Sequence, residues 1–92
     1  MRLSEQDIIN AICLHTAERK GIQPTQVEVE LEYDDDLGFS AEITAEGRSQ
    51  ILIAANILEA IERYLFQHQG VRVFRDQIRL TLEHEIVADI VQ

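Results

Sequence analysis

Apolar and polar residues recur along this chain with two different periods, and the changes of period mark out its elements. From Ile8 the apolar positions fall at helical spacing: Ile8, Ile9, Ile12, Cys13 and Thr16, with His15 on one flank. Ahead of them, Ser4-Glu5-Gln6-Asp7 fits a capping box, in which the Ser4 hydroxyl accepts from the Asp7 amide and the Asp7 carboxylate accepts from the Ser4 amide. Leu3 before the cap and Ile8 one turn in would form a hydrophobic staple. The stripe ends at Arg19-Lys20-Gly21, cations at the negative end of the helix dipole followed by a glycine suited to the left-handed cap. A helix is predicted from Ser4 to Gly21.

After Pro24 the period changes to two. Val27-Glu28-Val29-Glu30-Leu31-Glu32-Tyr33 alternates strictly, as a strand with one dry and one wet face does. Asp34 to Gly38 reads as a turn, and Phe39-Ser40-Ala41-Glu42-Ile43-Thr44-Ala45 alternates again with Phe39, Ala41 and Ile43 facing inward. Glu46-Gly47 reads as a tight hairpin turn. Gln50-Ile51-Leu52-Ile53 is a short apolar run compatible with strand or helix start, and we read it as a third strand. Asn56 offers a cap for a second helix, whose face is Ile57, Leu58, Ile61, Tyr64, Leu65 and His68 and whose stop is Gly70. Ile78 to Glu83 alternates, His84-Glu85 turns, and Ile86 to Val91 forms the last strand.

The order α-β-β-β-α-β-β, with short turns between strands, predicts an α+β fold: two amphipathic helices packed on one face of an antiparallel sheet, residues 1–92 forming one domain. Its open face would carry Glu28, Glu30, Glu32, Glu42 and Thr44, joined by Arg79 and Thr81 if the last hairpin continues the same phase. Ninety-two residues support one core, burying roughly 60 to 65% of the surface that the unfolded chain exposes. The 46% hydrophobic content and the four glycines and one proline set the chain apart from disordered compositions.

Seventeen carboxylates against eight Lys and Arg give a formal charge of −9. Affinity for nucleic acid comes largely from cations neutralising phosphates, so DNA and RNA are poor partners for this chain. The first five elements follow the order of a double-stranded RNA-binding domain, yet the start of the second helix, Ile53-Ala54-Ala55-Asn56, lacks the cations that such a domain places there. The same repulsion argues against anionic membranes, and no stretch approaches the roughly 20 apolar residues of a membrane span. Met1-Arg2-Leu3-Ser4-Glu5 lacks the apolar core of a signal peptide, and Cys13 is the only cysteine, which excludes an internal disulfide. The expectation is a cytoplasmic protein without a cofactor.

Candidate chemistry is sparse. Asp34-Asp35-Asp36 is the densest carboxylate run and a candidate for a divalent cation, but it lacks the alternate acidic positions, the glycine and the distal glutamate of an EF-hand loop. A solvated turn with Asp side chains bonding their own backbone is the favoured account of it. Gly38-Phe39-Ser40-Ala41-Glu42 lacks the second glycine of a nucleophile elbow. Cys13 and His15 point about 200° apart around a helix axis, and Cys13 reads as a small buried apolar residue. Enzymatic activity is not expected.

Interaction surfaces are better supported. Glu28, Glu30 and Glu32 line one strand face with Glu42 opposite, a repulsion that a basic protein partner, a divalent ion, the cations Arg72, Arg75 and Arg79, or plain solvation would relieve. Leu14 and Phe66 fall opposite the apolar stripes of their helices. In the final strand Val87 and Val91 share one phase while Ile86, Ala88 and Ile90 share the other, so it is either internal to its sheet or covered by another chain. These features predict self-association as a homodimer, with a small-molecule site at the dimer seam as an alternative.

Ser4-Glu5-Gln6-Asp7-Ile8-Ile9-Asn10-Ala11, Tyr33 to Glu42 and Gln50-Ile51-Leu52-Ile53 resemble the YxcD-like family of small proteins from Bacillus and its relatives. The resemblance covers most of the chain. It implies a cytosolic protein of a Gram-positive bacterium and brings no active-site residues with it.

Overall fold

The structure, a computed structural model, describes Met1–Val91. Its first helix, α1 (Glu5–Lys20), begins as its sequence dictates. Ser4 Oγ accepts from the Asp7 amide at 3.1 Å, Asp7 Oδ2 accepts from the Ser4 amide at 3.0 Å, and Leu3 and Ile8 are both buried. Gly21 closes it in the left-handed region at φ +69°. The buried face comprises Ile8, Ala11, Ile12, Thr16 and Ala17, rotated slightly from the expected stripe, so Ile9 and Cys13 lie at its margins.

Three strands follow as a meander: β2 (Glu28–Asp34), β3 (Gly38–Ala45) and β4 (Arg48–Ile53). Asp34 pairs with Gly38, whose φ of +81° lets the three-residue loop between them close. Ala45 pairs with Arg48 around Glu46 and Gly47, both at positive φ (+56° and +75°), the combination that matches the twist of a two-residue hairpin. Residues 50–53 are strand, as read. The second helix, α2 (Ala54–Gln69), starts two residues before the cap assigned from sequence. Ile53 occupies the cap position, and Asn56 sits inside the first turn, its Oδ1 accepting from the Ile53 amide at 3.3 Å. The last hairpin is β5 (Ile78–Leu82) and β6 (Ile86–Ile90).

After a two-residue strand at the N-terminus, β1 (Arg2–Leu3), the elements run in the predicted order and every strand pairing is antiparallel. The β layer is divided into two three-stranded sheets, β2-β3-β4 and β1-β6-β5, where one sheet was expected. The helices lie against both: α1 touches β1, β2 and β6, and α2 touches β3 and β4. The result is a slab of 36 × 34 × 20 Å, its short dimension that of one helix layer on one strand layer. The main core cluster joins the two sheets, because Ala41 and Ile43 share it with Ile78, Ile86 and Ile90 across the helices, and Ala17, Val27 and Ala45 form a smaller one. Ile8, Ile12, Ile57, Ile61 and Leu65 are fully buried at its centre, each stabilising the fold by about 1.5–3 kcal/mol.

The short β1 corrects one expectation. β6 lies between β1 and β5, with Val87 only 5% exposed, so its doubly apolar character is used inside the chain and Val87 leaves the set of interaction residues. Arg2 secures this arrangement, its guanidinium donating to Asp89 at 2.8 Å and to Glu83 at 2.8 Å. Those bonds raise the Arg2 pKa and hold the Asp89 carboxyl below its ordinary value.

Candidate functional site

The meander determines what its outer face presents. Register aligns three rows across this face from β2 through β3 to β4: Glu28-Thr44-Ser49, Glu30-Glu42-Ile51 and Glu32-Ser40-Ile53. One side of this face is therefore acidic, and the other, along β4, carries no charge. Glu30 faces Glu42 directly, and among the described residues none of Glu28, Glu30, Glu32 and Glu42 is in an ion pair. The three arginines considered as counter-ions are engaged elsewhere or remote: Arg72 lies 4.7 Å over the Phe66 ring, Arg75 meets Glu59 and Glu62, and Arg79 stands opposite Asp89 in the other sheet.

β4 is an edge, hydrogen-bonded to β3 on one side only among the described residues. Ile51 is 56% and Ile53 62% exposed on its outer face, and both line a hollow with Leu37, which is 86% exposed at the neighbouring loop. Scattered exposed apolar residues need no cause, but two on the same face of an edge strand, contiguous with a third, form a surface of another kind. The position of Ile53 sharpens the point. It holds the N-cap of α2, where Ser, Thr, Asp or Asn would satisfy a free amide and stabilise the helix by about 0.5–2 kcal/mol. The chain carries an isoleucine there and leaves the cap without a side-chain hydrogen bond.

Of the residues singled out from sequence, Glu28, Glu30 and Glu32 are exposed along β2 as expected. Leu14 is half-buried, so it does not present the open apolar face assigned to it. Phe66 is 53% exposed but sits under Arg72, beside exposed Phe74. Val91 is exposed just beyond β6. Asp34 is committed to its own loop, its Oδ1 accepting from the Asp36 amide at 2.8 Å and the Leu37 amide at 3.0 Å. Among the described residues no three His, Cys, Asp or Glu side chains gather as a metal cluster, so Asp34, Asp35 and Asp36 do not converge on a common point. Cys13 is half-buried, with Sγ 3.6 Å from the Val27 carbonyl, and burial pushes its thiol pKa up.

Ile51 and Ile53 were not anticipated. Their signal lay in register: counting back across a two-residue Glu46-Gly47 turn puts Ile51 opposite Glu42, on the wet face.

A family model described as a protein of unknown function (DUF2653) matches residues 1–85. The chain belongs to the DUF2653 family. It is also 36% identical over 69 residues to the uncharacterized protein YxcD of Bacillus subtilis (strain 168), a match covering 74% of this chain and 68% of that one. The match to DUF2653 spans both helices, the whole meander and β5, so it includes the β4 edge. No solved structure matches the chain. No helix among the described residues is long and apolar enough to cross a membrane.

Proposed function

We propose that this DUF2653 chain is a non-enzymatic interaction domain that acts in the cytoplasm as a homodimer, two copies joining along β4. The observation that carries this reading is the unpaired β4 edge with Ile51 and Ile53 exposed on its uncharged side. Antiparallel pairing of β4 with its copy about a two-fold axis would extend the meander to six strands and bring the four isoleucines together at its centre. It would also satisfy backbone groups that one chain leaves to water. The acidic β2 edges would then lie at both ends, where Glu28, Glu30 and Glu32 resist further strand addition. Such a design closes at two copies. The single half-buried cysteine, with no partner for a disulfide, fits a reducing compartment.

Light scattering on a size-exclusion column tests the reading. Twice the 10.5 kDa chain mass is expected for the wild type, one chain mass for an Ile51→Lys, Ile53→Asp variant, and the doubled mass again for Phe66→Ala. A monomeric wild type at concentrations of about 100 μM, or a dimer lost in Phe66→Ala and kept in the β4 variant, contradicts it.

A further inference from the structure

We infer that the cleft between the C-terminal half of α1 and the first turns of α2 binds a small organic anion. This hollow has a volume of about 430 Å³, within the range of small-ligand sites. All its walls come from one chain, so the inference does not depend on dimerisation. Arg19 and Lys20 stand on its α1 side, and among the described residues neither is in an ion pair. Part of their charge offsets the negative end of α1, but they remain two free cations converging on one cavity of a chain whose formal charge is −9.

The remaining chemistry of the cleft agrees in sign. One carboxylate lines it, that of Glu59, and it is partly offset: Oε2 lies 3.5 Å from Arg75 Nη2, a guanidinium it shares with Glu62, and Oε1 lies 3.5 Å from His15 Nε2. Gln50 and Asn56 bring amide groups. Asn56 spends its oxygen on the Ile53 amide, leaving its NH2 as a donor. The first turn of α2 has no side-chain cap, which leaves its partial positive charge uncompensated. Ile43 and Leu52 supply apolar surface at the sheet. An acidic head held by Arg19 and Lys20, with a short apolar body against Ile43 and Leu52, fits this distribution; a cation does not.

The test is an amide-shift titration of the isotope-labelled full chain with sodium hexanoate, inorganic phosphate and hexylammonium. Hexanoate is expected to give saturable shifts at residues 15–20, 50–52 and 56–59. Its affinity should fall by about tenfold or more in an Arg19→Gln, Lys20→Gln variant, which keeps the aliphatic stems, and stay unchanged in Arg79→Ala. The same shifts in an Ile51→Lys background, changed on the opposite face of β4 from Gln50 and Leu52, would confirm that the site belongs to one chain. Phosphate should bind the same residues more weakly, and hexylammonium should leave them unmoved. No saturable hexanoate shift, undiminished binding in the double variant, or equal response to hexylammonium overturns the site, and phosphate binding as tightly as hexanoate overturns its organic character.

Discussion

The meander has two edges, and they are built in opposite ways. β2 carries Glu28, Glu30 and Glu32 on its outer face, accepting direct opposition of Glu30 to Glu42, whereas β4 carries Ser49, Ile51 and Ile53. Charge on an edge strand is a recognised defence against pairing with another chain, and it works at a cost in the stability of the single chain. β4 shows the reverse compromise, an exposed isoleucine at a helix cap where a polar residue would stabilise the monomer. One sheet therefore has a guarded edge and an open one, an asymmetry that would stop the proposed assembly at two copies.

The contrast can be broken most forcefully at Ile53. Replacing it with Asp supplies both a cap and a charge, so Ile53→Asp should weaken dimerisation by about 100-fold while raising the stability of the monomer by about 0.5–2 kcal/mol. Sedimentation equilibrium and dilute thermal melts read the two effects separately. Loss of both would mean that Ile53 serves the fold alone.

Unguarding the other edge is the complementary experiment. Glu30→Val with Glu32→Val should let species larger than a dimer form in sedimentation velocity. In the isolated chain the same change relieves the Glu30–Glu42 repulsion, a gain of about 0.2–1 kcal/mol. The loop beside that edge should matter less to assembly. Asp34→Ala removes the acceptor for two amides and should cost about 1 kcal/mol, a fall in Tm of about 4–8 °C, with the dimer retained. Asp35→Ala, which removes no such bond, should stay within about 0.5 kcal/mol of the wild type.

The smallest effect belongs to the other sheet. Arg2 holds the Asp89 carboxyl below its ordinary 3.8, so the stability that this pair contributes is fully present above that value and is lost as pH falls through the lower, folded one. Asp89→Asn should therefore remove a small part of the acid sensitivity below about pH 4 and leave association untouched. Acid melts of the two proteins that superimpose would show that the pair contributes nothing.

How much of this was legible in the chain depended on how many local signals agreed. α1 was readable because cap, staple, terminal cations and glycine all point to the same boundaries. The start of α2 was misplaced by three residues because an isoleucine occupies its cap and Asn56, a good capping residue, does its work from inside the helix. The division into two sheets was hidden, since a two-residue strand such as β1 has no period to detect. Its absence from the sequence reading made β6 look like the strand in need of a partner, when Arg2 and Leu3 already supply one. The β4 edge was overlooked for a related reason. In Gln50-Ile51-Leu52-Ile53 the apolar residues belong to two faces, and only the register across the hairpin shows that Leu52 serves the core and Ile51 and Ile53 face out.

Amide hydrogen exchange at two protein concentrations tests most directly whether a second copy zips onto the strand from Arg48 to Ile53. The account predicts that amides in this segment slow as the protein is concentrated, while those from Glu28 to Asp34 keep one rate throughout. Identical exchange from Arg48 to Ile53 at both concentrations would contradict it.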